Sequence, residues 1–196
     1  MEAEDGALIR ESIANPAAFG VLFDRHYKSV YRFLARRLGA PLAGDLAAET
    51  FVRAFAGRHL YRPDASPSAR PWFFGIATNL LRRHYRAEAR QLHAYARSGI
   101  DPVLDAAPDV IARADAAAAG PRLAAALAEL RPAERDVLLL FAWAELSYAE
   151  IGEALGLELG TVRSRLSRAR ARVRETLVAD GKGLAKTSTT AEGNDG

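Results

Sequence analysis

The sequence predicts an all-α fold of two helical domains joined by a flexible linker, the C-terminal one a four-helix domain with a helix-turn-helix. Three observations predict it. Apolar residues recur at spacings of three and four along most of the chain, and no alternating apolar–polar run marks a strand. Glycine and proline fall where such stripes end, as at Asn15-Pro16, Gly39 and Gly156. Between Ser98 and Gly120 the stripe gives way to an Asp-, Ala- and Pro-rich stretch, which predicts a linker.

The chain is organised around Ser147–Arg174. Ser147 caps a helix, and Glu150, three residues on, can reach back to the cap amide, which makes a capping box. Ile151, Ala154 and Leu155 share a face, and Gly156 ends the helix. In the helix that follows, Val162, Leu166, Ala169 and Val173 form an apolar stripe. The opposite side carries Arg163, Ser164, Ser167 and Arg168, with Arg165 on the flank, and no acid occurs from Thr161 to Arg174. A short basic second helix is suited to a DNA major groove, where arginine bonds guanine edges or phosphates and serine either. The alternative is a solvated basic face on an ordinary helical hairpin. The capping box, the glycine turn and the absence of acids together favour DNA.

Composition narrows the classes. The 196 residues are 49% hydrophobic and 26% charged, which is globular. The absence of cysteine excludes disulfides, thiolate metal sites and a thiol switch. No apolar run is long enough for a membrane span, and the acidic N-terminus lacks the pattern of a signal peptide, so a cytoplasmic protein without membrane insertion is expected. The net charge of +3 is uneven: +5 over 1–96, −2 over 97–119, +1 over 120–179 and −1 beyond. The expected division is therefore 1–96, a linker at 97–120, 121–179 and a disordered tail at 180–196. His26, His59, His84 and His93 lack metal-ligand spacing, and no phosphate loop or nucleophile motif accompanies them. No enzyme, cofactor or metal is expected.

Taken in order, Gly6–Ala14 predicts a short helix. Phe19, Leu22, Phe23, His26, Tyr27, Val30, Tyr31, Leu34 and Leu38 predict a long one, with His26 packed on its edge. Asp45–Arg58 predicts a third, with Asp45 as N-cap and Asp45, Glu49 and Arg53 on one outer face. Residues 62–68 are turn-rich. Pro71 opens a helix that begins with Trp72, Phe73 and Phe74 and becomes basic at Arg82, Arg83, Arg86 and Arg90. Aromatics beside a basic helix suit unpaired bases, with arginines on the phosphates; in the plainer reading Trp72 and Phe73 are simply core, Trp72 above all. A short helix is expected within Val110–Ala119. The linker acids Asp101, Asp105 and Asp109 could compete with DNA for basic surfaces. Arg122–Glu129 and Pro132–Trp143 complete the helices that support the helix-turn-helix.

Taken together, these residues resemble bacterial RNA polymerase sigma factors of the extracytoplasmic-function (ECF) group. ELRPAERDVLLLFAWAELSYAEIGEALGLELGTVRSRLSRARARV is similar to the domain that reads the −35 promoter element, DLAAETFVRAF to the helix that grips the β′ clamp helices, and RPWFFGIATNLLRRHYR to the segment that melts and reads the −10 element. The resemblance covers about residues 16–96 and 121–178. It implies that Asp45, Glu49 and Arg53 meet the polymerase clamp. It implies that the 62–68 loop, with Arg62, Asp64 and Ser66, captures a flipped base, and that Asn79, Arg82, Arg83 and Arg86 hold the opened −10 strand. Arg163, Ser164, Arg165, Ser167 and Arg168 would contact the −35 duplex. The implied partners are core RNA polymerase, through its β′ clamp helices and β flap, promoter DNA and an anti-sigma factor. The chain departs from the family pattern at Leu42-Ala43-Gly44-Asp45, Ala48, Glu158, Leu159 and Gly75. The competing reading is a stand-alone helix-turn-helix regulator that does not bind core polymerase. The linker is long enough for the two domains to close on one another.

Overall fold

Eight α-helices and no strand make up the described residues of the computed structural model, which are 4–62, 68–98 and 120–188, with side chains described at 4–62, 68–90, 120 and 122–178. The first four helices are α1 (Asp5–Ala14), α2 (Phe19–Leu38), α3 (Ala40–Gly57) and α4 (Arg70–Ser98). The last four are α5 (Pro121–Ala128), α6 (Pro132–Ala142), α7 (Tyr148–Leu155) and α8 (Leu159–Ser188).

In the first half, α2 and α3 form an antiparallel pair. Gly39, at φ 79° and ψ 165°, ends α2 in a conformation that a side chain would disfavour. Ala40 and Pro41 then open α3 at once, since the ring of Pro41 fixes the helical φ and the missing N–H is not needed in a first turn. Asp45 is therefore not the N-cap expected: α3 begins five residues earlier, and Asp45 lies exposed in its second turn. Leu22, Val30 and Leu34 are fully buried, as their stripe predicts, whereas Phe23 is 40% exposed. Phe33, outside that stripe, is fully buried and meets Phe74 edge-on at 5.4 Å. Phe73 stacks on Phe51 at 4.7 Å between α4 and α3. Edge-to-face and offset ring pairs of this kind add to the burial of the rings themselves.

In the second half, Val137, Leu139 and Leu140 of α6, Ile151 of α7 and Val162, Leu166 and Ala169 of α8 are buried together. This core is continuous with that of the first half. The contact runs through α4, which lies along α7. The tail expected to be disordered from 180 is helical as far as Ser188. No proline interrupts it, and each residue added to an existing helix gains a backbone hydrogen bond without a new nucleation cost. The short helix expected at 110–119, the linker acids at 101, 105 and 109, and the tail beyond 188 lie outside the described residues.

Candidate nucleic-acid and polymerase interfaces

The geometry of α7 and α8 follows from a few local bonds. Ser147 Oγ accepts from the Glu150 amide at 3.2 Å, and Glu150 Oε2 accepts from the Ser147 amide at 2.8 Å, so the capping box is formed. Gly156 takes φ 64° and ψ 44°, and the Leu157 amide bonds back to the Gly152 carbonyl at 2.8 Å. The chain thus turns within three residues, and Gly152 itself lies too close to the Leu157 carbonyl to carry a side chain: a Cβ there would sit 2.8 Å from that oxygen.

With Val162, Leu166 and Ala169 inside, Arg163, Ser164, Ser167 and Arg168 stand exposed and Arg165 is half-buried on the flank. Two of these side chains are already engaged within the domain. Ser164 Oγ donates to the Thr161 carbonyl at 3.0 Å. Arg168 Nε donates to Glu134 Oε1 at 3.0 Å, and Glu134, at the start of α6, is buried. Further along, the Arg170 guanidinium lies 4.6 Å from the centre of the Phe141 ring.

The second basic surface is on α4. Trp72, Gly75, Asn79, Arg82 and Arg86 follow one another at helical spacing and form a stripe. Asn79, Arg83 and Arg86 are exposed. Arg82 donates from Nε to Asp136 Oδ2 at 2.7 Å, and Arg86 from Nε to the Arg82 carbonyl at 3.2 Å. Phe73 is fully buried, as the plainer sequence reading has it, whereas Trp72 is only half-buried, packed on the edge of the core. Trp72 turns instead toward a cavity of about 320 Å³, lined also by Tyr61, Arg62, Asn79, Glu153 and Ala154. Tyr61 and Trp72 meet there at 5.0 Å between ring centres. Burial pushes the Tyr61 hydroxyl up to about 12, with the carboxylates of Glu153 and Asp5 adding to the effect. Glu153 is shifted above the usual carboxylate range by burial and by Glu150. Asp64 and Ser66 lie outside the described residues, and Arg62 is exposed at their edge.

The entry to α4 is held by Asp5. Its Oδ2 accepts from the Ala69 amide at 2.9 Å and from Ser68 Oγ at 3.3 Å, and lies 2.8 Å from His26 Nε2, while Oδ1 pairs with Arg25. Burial alone would raise this carboxyl. The bonds from His26 and Ala69, the charge of His26 and the bond from Arg25 outweigh it and hold the carboxyl well below its usual range. His26 is thus packed, as its place on the stripe suggests, but through a specific polar bond.

On α3, Glu49 and Arg53 form an exposed i,i+4 ion pair at 2.6 Å, and Asp45 lies one turn before them. Leu42 and Val52 are exposed on the same helix, Val52 by 62%.

Four polar residues that build these surfaces are missing from the sequence reading: Asp5, Arg37, Glu134 and Asp136, all buried. Glu134 and Asp136 sit 34 and 54 positions from the arginines of α8 and α4 that they bind, and no local pattern signals such a pairing. Among the described residues no group of histidines and acids could hold a metal ion, and no helix is long and apolar enough to cross a membrane.

The family model of sigma-70 region 2 matches residues 22–91, and that of sigma-70 region 4 matches residues 121–173. The chain is 30% identical over 183 residues to the ECF RNA polymerase sigma factor SigC of Mycobacterium tuberculosis, a match covering 91% of each protein. It is 37% identical over 164 residues to the RNA polymerase sigma factor CarQ of Myxococcus xanthus, covering 82% of this chain and 89% of CarQ. With the ECF RNA polymerase sigma factor SigE of Mycolicibacterium smegmatis it shares 35% over 156 residues, which is 79% of this chain but 58% of that longer protein. The fold is similar to that of CnrH in complex with the cytosolic domain of CnrY, with a TM-score of 0.63, 29% identity and coverage of 90% of this chain and 98% of the other. It is also similar in fold to RpoE in complex with the anti-sigma factor NepR from Bartonella quintana, with a TM-score of 0.59, 22% identity and coverage of 83% and 98%.

Proposed function

The chain belongs to the ECF group of RNA polymerase sigma factors, and from that premise we propose how its surfaces divide the work of directing polymerase to a promoter. Residues 1–96 bind core polymerase and the −10 element, residues 121–179 bind the −35 element, and 97–120 link the two. Arg163, Ser164, Arg165, Ser167 and Arg168 meet the −35 duplex, the exposed cations reading base edges and phosphates. The observation that carries this assignment is the sidedness of α8: its apolar stripe is inside and its acid-free basic face is outside.

Asn79, Arg82, Arg83 and Arg86 hold the opened −10 strand. The cavity beside Tyr61, Arg62 and Trp72 supports capture of an unstacked base, with the 62–68 loop, including Asp64 and Ser66, at its edge. Unstacking costs a few kcal/mol and ring stacking returns about 1–3 kcal/mol per base, so capture is close to balanced. Asp45, Glu49 and Arg53 face the β′ clamp helices, and the C-terminal domain meets the β flap. The protein is not an enzyme: it binds and deforms DNA and leaves nucleotide chemistry to polymerase. It acts in the cytoplasm, where its partners are. An anti-sigma factor is a further partner, supported by the likeness to CnrH, whose structure is a complex with CnrY.

The test is co-purification with bacterial core polymerase followed by transcription from a promoter library. Start sites sharing one −35 and −10 pair are the expected result. Binding to duplex DNA without binding to core would overturn the assignment of the N-terminal half and favour a stand-alone regulator.

A further inference from the structure

The stripe of α4 assigned to the −10 strand is not open to solvent along its length. The C-terminal half lies over it. At Gly75 the two backbones come so close that a Cβ would sit 2.5 Å from the Ala154 carbonyl oxygen and 3.3 Å from its carbon. Both are backbone atoms of α7, so no rotamer change could relieve the overlap. Two turns further along α4, at Arg82, Asp136 of α6 is 2% exposed and spends both carboxylate oxygens on the N-terminal half. Oδ1 accepts from Arg37 Nη1 at 2.9 Å and Oδ2 from Arg82 Nε at 2.7 Å. Arg37 is itself 2% exposed, on the same face of α2 as the buried Val30, Phe33 and Leu34. At the edges of the contact, Arg70 donates from Nη2 to the Ala144 carbonyl, and the Arg36 guanidinium lies 5.7 Å from the centre of the Trp143 ring.

We propose that this packing is a self-closed form of the free protein, in which Asp136 occupies on Arg82 the place of a promoter phosphate and Gly75 sets the closeness of the two domains. The proposal rests on the assignment of Arg82 and Asn79 to the −10 strand. With Asp136 on Nε, the Nε side of the Arg82 guanidinium is not available for a two-bond contact to a phosphate, so carboxylate and phosphate compete for that side. The contact is built to be reversible. Burying Arg37 and Asp136 removes both from water, and that cost offsets most of their attraction, so such a pair fixes register more than it adds stability. On opening, both charges regain water and Arg82 gains a phosphate. The closure is also one-sided. Arg163, Ser164, Ser167 and Arg168 remain exposed, whereas on α4 Gly75 is covered and Arg82 is engaged while Asn79, Arg83 and Arg86 stay exposed, so the closed form keeps its −35 face and withholds Arg82 from its −10 face.

Gly75 makes the idea separable from folding. Alanine is a better helix former than glycine in the interior of α4, and the three atoms nearest to its Cβ all belong to Ala154. Gly75→Ala therefore favours α4 and disfavours only closure. The chain has no cysteine, so Glu11→Cys and Ala125→Cys, both at exposed positions in the two halves, take a donor and an acceptor dye cleanly. The binding probe is a short single-stranded DNA of mixed sequence. Energy transfer should fall in Gly75→Ala at unchanged helical content by circular dichroism, and also in the otherwise unaltered labelled protein when the probe saturates it. If the open form is about a tenth of the free protein, Gly75→Ala should bind the probe about tenfold more tightly. Adding Arg82→Ala should remove that gain. Unchanged transfer in both experiments would overturn closure. Reduced transfer with no effect of Arg82→Ala on binding would instead overturn the −10 assignment on which the proposal rests.

Discussion

Arg168, whose side chain is 58% exposed, is tied through Nε to Glu134, whose side chain is 6% exposed. A cation on the exposed basic face of α8 is thus held by a carboxylate at the start of α6. With more than half of the side chain exposed, its remaining guanidinium N–H groups leave donors for a base edge or phosphate.

That tether makes a measurable coupling. Arg168→Ala should weaken binding to a −35 duplex by ~1–3 kcal/mol if it makes a bidentate base contact. Glu134→Ala, at a buried position, should weaken it by about 1 kcal/mol because the guanidinium is no longer held. The double variant should lose less than the sum of the two. Fluorescence anisotropy with a labelled duplex measures all three, and strictly additive losses would show that Glu134 acts elsewhere.

The two basic surfaces and the clamp face should separate by mutation. Glu49→Lys breaks an exposed ion pair, which contributes little to stability, and places a cation on the outer face of α3. Pull-down by core polymerase should be lost while −35 duplex binding is retained. Arg168→Ala should do the reverse. Equal loss of both activities in both variants would refute separate surfaces.

Asp5 gives the first half an acid sensitivity. Its carboxyl is held below the ordinary value of 3.8, so the folded state stabilises the charged form. That contribution is fully present above about pH 4 and is lost as pH falls further, since the unfolded chain then binds the proton first. Asp5→Asn should cost about 2–3 kcal/mol at neutral pH by leaving His26 and the Ala69 amide poorly paired. It should also flatten the fall in stability below about pH 4. Urea unfolding followed by circular dichroism over that range checks both effects.

The turn of the recognition motif should be sensitive at two positions. Ser147→Ala removes the cap and should cost about 1 kcal/mol. Gly156→Ala forces a side chain into the left-handed region and should cost about 1–2 kcal/mol. Thermal melting reads both, and a Ser147→Ala variant as stable as the parent would mean that the capping box adds nothing.

What the sequence made legible was local. The capping box at Ser147, the left-handed Gly156 and the apolar stripe of Val162, Leu166 and Ala169 are each set by residues within two turns of one another, and each is found in the structure. Asp45 misled because aspartate is a good cap wherever it stands, while Gly39 and Pro41 decide where α3 begins. Trp72 lies less deep than expected because one helical step of about 100° separates it from Phe73, which faces inward. The bonds of Asp136 to Arg37 and Arg82 span 99 and 54 positions, and they exist only because two helical units pack together. Pairings of that range leave no periodic trace. An acid in the first turns of α6 reads locally as an ordinary solvated charge.

The burial of Arg37 against Asp136 also sets how the protein responds to its ionic surroundings. Counterions screen charges at a surface over about 8–10 Å at physiological salt, but they reach a dry pair poorly. Binding of exposed arginines to phosphates weakens steeply as salt rises, because each contact releases condensed ions. If Arg82 holds the −10 strand as proposed, its two competitors answer salt differently: Asp136, itself buried and fixed by Arg37, is screened less than the phosphates of an exposed strand. On that assignment, raising electrolyte concentration should shift the protein toward the closed form.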